Sequence, residues 1–276
     1  MGINRLLQGL LVSTLLASGT VKPEEPLAEP AQAPIELVWC LDHFSRFHNY
    51  EDVDKPFGPS VDLMQELARR VGFVLRFTPR TVVSRCFKLM EEGKVDLMSN
   101  LKFSDQRNQF MFLLPYETTV PESVFMRRTD KRAITSYSQL KSLTVASIRG
   151  YLFSQETMRF LAQNPSYVAH VESIEVGLEM LNRGRIDALI SPTVSTSEAI
   201  FTVNSYDSRF RIATLNMDGA KPEYINIGLS RASPHMNLLP NIKQHLNDMQ
   251  QDGTVKRLYT DVVISPRINE LRGITP

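Results

Sequence analysis

The side chains best able to do chemistry are few in this sequence, and their spacing does not suit catalysis. Five histidines, at positions 43, 48, 170, 235 and 245, fall into no zinc-ligand spacing. His43 and His48 read as loop residues. There is no Gly-x-Ser-x-Gly turn, no glycine-rich phosphate loop and no local Cys-His signature. No metal or cofactor is expected. Two cysteines, Cys40 and Cys86, are the only pair. In an oxidising compartment they bridge; otherwise they are two small buried thiols. The residues alone leave both readings open.

Two aspartates stand in a repeated setting. Residues 91–100 read "EEGKVDLMSN" and residues 182–191 read "NRGRIDALIS". Each has a glycine, a basic residue, a β-branched aliphatic, Asp and an apolar run, and each follows an apolar stretch of helical character. Gly93 and Gly184 read as helix stops, with the basic residue complementing the negative end of the helix dipole. Asp96 and Asp187 are expected to cap or pair locally rather than react. The phrase is a joint from a helix into a buried strand, and its repetition implies two similarly built parts.

The elements around those joints follow from periodicity. "IELVWC" (35–40) is a continuous apolar strand. In "GPSVDLMQELARRVGF", Ser60 can cap a helix whose Val61, Met64, Leu67 and Val71 share a face, and Gly72 stops it. "FVLRFTP" is a strand, Thr81 or Ser84 starts the next helix, and "VDLMSNL" is a third strand, completing a parallel βαβαβ unit. A second copy is expected from about residue 124, with "SVFMRR" as its first strand. It continues through "YSQLKSL", "TVASIRG", a helix in "LFSQETMRFLAQN", "YVAHVE", a helix capped by Ser173, and "RIDALI". The last third reads as a strand, a helix, a break at Gly253 and a second helix.

Composition adds bounds. The 276 residues are 42% hydrophobic and 22% charged with a net charge of +1, which suits a globular chain with a real core and asks for no nucleic-acid partner. At the N-terminus, Arg5, an apolar run from Leu6 to Ala17 and the small Ala17 and Gly19 form a secretory signal peptide, expected over 1–19. Residues 20–34, rich in Pro, Ala and Glu, are expected to be a disordered leader. No later stretch reaches membrane-spanning length, so the mature protein is expected to be soluble outside the cytoplasm, in the periplasm.

Several phrases, in order, resemble those of the solute-binding proteins of the amino-acid ABC transporter type (family 3). They are "FGPSVDLMQELARRVGF", "RCFKLMEEGKVDLMSNLKFSDQRNQFMFLLPY", "LTVASIRGYLFSQE" and "QDGTVKRLY", within a resemblance that covers about 35 to 262. It implies an α/β fold of two βαβ-type lobes with mainly parallel sheets, joined by a two-crossover hinge, the type II periplasmic binding arrangement. Lobe one is expected over 35–121 and 226–265, lobe two over 122–225, and a tail over 266–276. One branch of the family carries cysteines like Cys40 and Cys86, which implies a disulfide between them.

The resemblance also implies site residues. Arg107, in "SDQR", stands where relatives grip a ligand carboxylate, a role suited to the planar guanidinium. Asn100 and Lys102 lie just before it, and Phe44 stands at the position of a stacking aromatic. From lobe two, Gly150 and Tyr151 are expected to offer backbone N–H groups at a helix start, with Arg149 adding charge. Where amino-acid binders carry an acid for the ammonium, this sequence has Pro192. A cation-rich cleft and an anionic ligand are therefore expected, although Asp42 could still answer an amine.

The function implied is capture of a small amino-acid-like or organic-acid ligand by cleft closure and delivery to a membrane permease, by a protein expected to be monomeric. A free-standing sensor docking on a membrane receptor is the alternative. A cyclohexadienyl dehydratase-like enzyme is a weaker one, because "SPTVSTSE" has no carboxylate before Glu198.

Overall fold

The computed structural model describes residues 33–52, 55–206, 208–217, 223–263 and 267–273. The expected signal peptide, and the proline-rich leader up to residue 32, lie outside the described residues. The first part of the chain forms β1 (Glu36–Trp39), the hairpin of β2 (Asn49–Asp52) and β3 (Lys55–Phe57), α1 (Pro59–Val71), β4 (Val74–Phe77), α2 (Val83–Glu91), β5 (Leu97–Lys102), α3 (Asp105–Phe110) and β6 (Met111–Thr118). Then come β7 (Glu122–Arg127), α4 (Tyr137–Leu140), β8 (Val145–Ile148), α5 (Gln155–Gln163), β9 (Val168–Val171), α6 (Ile174–Asn182), β10 (Ala188–Pro192), α7 (Thr193–Thr202) and β11 (Phe210–Ile212). The chain continues through β12 (Tyr224–Ser230), α8 (Leu239–Gln251), α9 (Thr254–Val263) and α10 (Arg267–Arg272).

Two sheets of matching order result. One runs β4-β1-β5-β12-β6; the other, read in the same sense, runs β9-β8-β10-β7-β11. In each, three strands are parallel and the fourth is antiparallel to its βαβ neighbour. The two α/β lobes expected from the sequence are thus present. The second copy does not begin at "SVFMRR", however. That segment is β7, which runs antiparallel to β10 and fills the place β12 fills in the first sheet. The repeat of β1-α1-β4-α2-β5 is β8-α5-β9-α6-β10. Both "SVFMRR" and "TVASIRG" are continuous apolar runs, and that pattern says nothing about strand direction.

The repeated joint has one geometry in both sheets. The Asp96 amide donates to the Val38 carbonyl (2.8 Å), and its carboxylate accepts from the Val38 amide (2.7 Å). The Asp187 amide donates to the Thr144 carbonyl (2.8 Å), and its carboxylate accepts from the Thr144 amide (3.0 Å). Each aspartate therefore ties the start of the closing strand to the first strand of its own repeat, and does so through a backbone N–H that would otherwise need a partner. Gly93 and Gly184 have φ of 66° and 68°, the left-handed turn that favours glycine. The helix starts differ from expectation. Gly58 holds the α1 cap with φ of 119°, and a Cβ there would lie 2.8 Å from the Phe47 carbonyl. Ser60 instead turns inward to the Tyr259 hydroxyl (2.9 Å). Neither Thr81 nor Ser84 caps α2, which starts from Val82.

Cys40, just after β1, and Cys86, in α2, form a disulfide with Cα atoms 5.7 Å apart. It lies in a core with Val83, Met90, Met98 and Met111. The sheets are joined where β6 leads to β7 and where β12 returns, and these segments lie together: Thr118 is opposite Tyr224, and the Thr119 amide bonds the Glu223 carbonyl (2.9 Å). Lys102, at the end of β5, pairs with Glu122 on one segment (3.3 Å) and Glu223 on the other. The stretch expected as a tail holds α10, which packs on β11 and α7 with Ile268 and Leu271 buried.

Two stability measurements check these connections. The disulfide spans 46 positions, and a loop of that size is worth about 4 kcal/mol on the chain-entropy account. Reduction, or Cys86→Ser, should lower the unfolding free energy in urea by about that amount. Burial alone would raise the Glu122 carboxyl, but the Lys102 ammonium and hydrogen bonds from Ser154 and Thr157 outweigh it and hold the group below its ordinary 4.5. A depressed carboxyl stabilises the fold above its unfolded value and loses that contribution as pH falls through its folded value. Stability should therefore drop on acidification below about pH 4.5, with a shallower drop in Glu122→Gln, measured by urea titration at a series of pH values.

Candidate functional site

A cavity opens between the two sheets, lined by the segment that follows β1, by Val83 and Cys86 of α2, by β5 and Arg107 after it, by the crossover segments, and by residues 151–153 and 192–194 of the second lobe. Such a position, outside the carboxyl ends of parallel strands, is where open α/β sheets take ligands. The bottom of the site is set by β5. Between Met98 and Leu101 it spends one more residue than β12 does between Gly228 and Asn226. The extra residue makes a bulge, and Asn100 there takes a φ of 56°, a left-handed conformation that asparagine tolerates better than most residues. Its amide is then fully used. Oδ1 accepts from the Tyr116 hydroxyl (2.7 Å), and Nδ2 donates to Ser60 Oγ (2.9 Å) and His48 Nδ1 (3.3 Å). Tyr116 and Tyr259 hydroxyls meet beneath it at 3.0 Å.

Arg107 is positioned by the cap of α3. Ser104 Oγ accepts from the Arg107 amide (3.2 Å), so the Ser-x-x-Arg spacing places this arginine in the first helical turn. Its guanidinium donates to the carbonyls of Lys102 (2.7 Å) and, across the cleft, Gly150 (2.7 Å), and it lies 4.5 Å above the Phe87 ring. It is 7% exposed, and no carboxylate among the described residues lies within ion-pair distance. Burial lowers its proton affinity, to a pKa of about 10. The guanidinium is thus held by carbonyls and a ring face, with its charge not neutralised by a carboxylate among the described residues.

Asp42 lines the same cavity. Tyr151 donates its hydroxyl to Asp42 Oδ2 (3.2 Å), and His48 Nε2 lies 3.4 Å from Oδ1. His48 thus lies between the Asn100 amide, on its Nδ1 side, and Asp42, on its Nε2 side. Burial, and then the Asp42 charge, push the Tyr151 hydroxyl far above its ordinary range, so it stays a donor. Phe44 stacks on Phe47 (4.9 Å between ring centres) and meets Tyr151 edge-on (5.8 Å), forming an aromatic wall across the two lobes.

The expected site residues divide. Arg107, Phe44, Asn100, Lys102 and Tyr151 all line the cavity. Arg149 does not: it points to the outside and pairs with Glu172 (2.6 Å). Gly150 contributes its carbonyl, to Arg107, rather than an N–H. The anion cradle expected at the start of α5 is already filled, since the Ser154 amide donates to Glu122 Oε1 (2.7 Å). Lys102 is likewise neutralised by Glu122 and Glu223. The cleft is therefore not the cation-rich one expected: its lining holds Arg107 and Lys102 against Asp42 and Glu122. Pro192 does line the cavity, beside Thr193, whose hydroxyl is taken by Ser123 and the Pro121 carbonyl. His48 and Glu122 were missed. Their partners, Asn100 for one and Lys102 and Ser154 for the other, are distant in sequence, and no local pattern marks them.

The comparisons with known proteins agree with this geometry. Residues 37–262 match the family described as bacterial extracellular solute-binding proteins, family 3. The chain is 23% identical over 214 residues to the probable amino-acid-binding protein YxeM of Bacillus subtilis (strain 168), covering 76% of each. Among solved structures it is similar to an ancestral arginine-binding protein bound to arginine (TM-score 0.70, 19% identity, 82% of this chain and 97% of that one). It is also similar to a histidine kinase sensor domain that itself resembles periplasmic binding proteins (TM-score 0.69, 16% identity, 83% and 96%). Two sheets of matching order, a cleft between them and a family match across most of the chain converge: the protein belongs to the bacterial extracellular solute-binding proteins, family 3.

Proposed function

We propose that the protein captures a small, carboxylate-bearing, amino-acid-like solute outside the cytoplasm and delivers it to an ABC permease. The observation that carries this reading is Arg107, buried in the cleft wall with carbonyl and aromatic partners but no carboxylate of its own. A ligand carboxylate supplies the missing charge in a bidentate pair. The expectation of an anionic ligand narrows accordingly to a ligand with one carboxylate, since Lys102 and the start of α5 already have theirs.

Binding begins on the lobe that carries Arg107 and Phe44, taken as 35–121 with 226–265. The lobe over 122–225 then rotates about the paired crossovers near 117–123 and 223–229 and closes the Tyr151 side over the ligand. The closed form is what a membrane partner reads, so the ligand acts through its higher affinity for closed over open. The similarity to a kinase sensor domain supports a second reading, in which the closed form docks on a receptor instead of a permease.

A thermal-shift screen of the purified protein against amino acids and other monocarboxylates should give at least one stabilising ligand. Arg107→Met should weaken that ligand by about 100-fold or more, since a ligand carboxylate would lose its only charged partner. Binding that survives Arg107→Met unchanged would refute the reading. Transport of that ligand in vesicles carrying a permease from the same cell separates delivery from sensing.

A further inference from the structure

We infer that the cleft selects an α-amino acid with an uncharged, apolar side chain, reading its carboxylate with Arg107 and its ammonium with Asp42. This rests on the proposed reading and adds the ligand class.

The inference comes from which polar groups of the lining remain uncommitted. Lys102 is bound to two carboxylates. Glu122 is held by Lys102 and by the Ser154 amide. Asn100 uses its carbonyl on Tyr116 and its amide on Ser60 and His48. Thr193 is bonded to Ser123 and the Pro121 carbonyl. Two charged groups are left without an opposite formal charge on a Lys, Arg, Asp or Glu partner among the described residues: Arg107 and Asp42. Asp42 accepts from the Tyr151 hydroxyl and from His48, and a carboxylate has lone pairs for a further donor. One cation and one anion lining the same cavity complement the two ends of a zwitterion.

The hydroxyls of Ser99, Thr118 and Thr119 are engaged with Asn100, Glu117 and the Val120 carbonyl, and the remainder of the lining is mainly apolar. Val83, Met98, Leu101 and Ile225 face the cavity from the first lobe, and Phe153 and Val194 from the second. A ligand side chain lying against these surfaces loses water and gains no polar partner. An apolar side chain gains from that burial. A guanidinium, ammonium or second carboxylate would be left buried and unpaired, because Glu122 and Lys102 are already paired with each other. The position taken by Pro192, at the start of α7, offers an amine nothing, so the ammonium acceptor lies on the first lobe instead. Carboxylate and ammonium are then both held by the lobe that carries β5, while the second lobe adds Tyr151 and apolar surface.

Isothermal titration tests this with L-leucine, L-methionine and L-phenylalanine, with L-arginine, L-lysine and L-glutamate, and with 4-methylpentanoate, which is leucine without its amine. At least one neutral amino acid should bind about tenfold or more tighter than each charged one. 4-Methylpentanoate should bind about tenfold weaker than L-leucine to the wild-type protein. That gap should shrink severalfold in Asp42→Asn and persist in Asp42→Glu, which keeps the charge and controls for folding. Tightest binding of a charged amino acid through Arg107 would overturn the inference while leaving the proposed function intact. An unchanged gap in Asp42→Asn would overturn the role of Asp42. No binding by any probe would overturn both readings.

Discussion

The cleft depends on one backbone constraint, the extra residue that β5 spends at Asn100. An ordinary strand there would continue the pleat and leave its last side chains alternating between faces. The bulge lifts Asn100 into a left-handed conformation, and its amide becomes the hub of a buried polar network. Through Ser60 it holds the start of α1, through Tyr116 it holds β6, and through the hydroxyls of Tyr116 and Tyr259 it reaches α9. Through His48 it reaches Asp42. A strained residue of this kind persists only where its surroundings over-determine it, and here three elements and the segment between β1 and β2 do so. The same bulge brings β5 to an end with the Lys102 carbonyl facing Arg107.

The electrostatics of the cleft follow from self-neutralisation. Glu122 is buried, and a lone buried carboxylate would be costly. It is retained because Lys102 and the amide at the head of α5 both meet it. That arrangement ties the end of a strand in one lobe to the start of a helix in the other, at the crossover. It also removes from the binding surface a cation and a helix start that would otherwise attract anions. What remains of formal charge in the lining is one guanidinium and one carboxylate, beside a few hydroxyls and a largely hydrophobic wall.

Much of the fold was legible because it is local. The helical faces of α1 and α6, the glycine stops at 93 and 184 and the buried strands after them need only a window of a dozen residues. The repeated Asp joint was legible as a motif, and its function as a tie to the first strand of each repeat follows once the sheets are assembled. The identity of the strand that begins the second repeat was not legible, because β7 and β8 are equally apolar and differ only in direction. The site was legible where the family pattern fixes a turn, as at Ser104–Arg107. It was not legible where a residue's role depends on distant partners. Lys102 and Arg149 both looked like ligand cations, and each is neutralised by a glutamate that periodicity does not bring near: Glu122 and Glu223 for one, Glu172 for the other.

The position of α10 bears on how the two bodies can move. The crossover strands run side by side, with Thr118 opposite Tyr224, and a pair of adjacent tethers behaves as a narrow strap. About such a strap two bodies can fold, and they can also swivel. α9 packs on α1, α8 and β6, whereas α10 is fastened to β11 and α7, with the Glu270 carbonyl accepting from Arg128 (3.4 Å). Arg128 lies beyond the end of β7 opposite to Glu122, roughly 20 Å along the strand from the strap at the usual rise per residue. Successive C-terminal helices thus belong to different sheets, and the crossover strands are not the sole link between the two lobes.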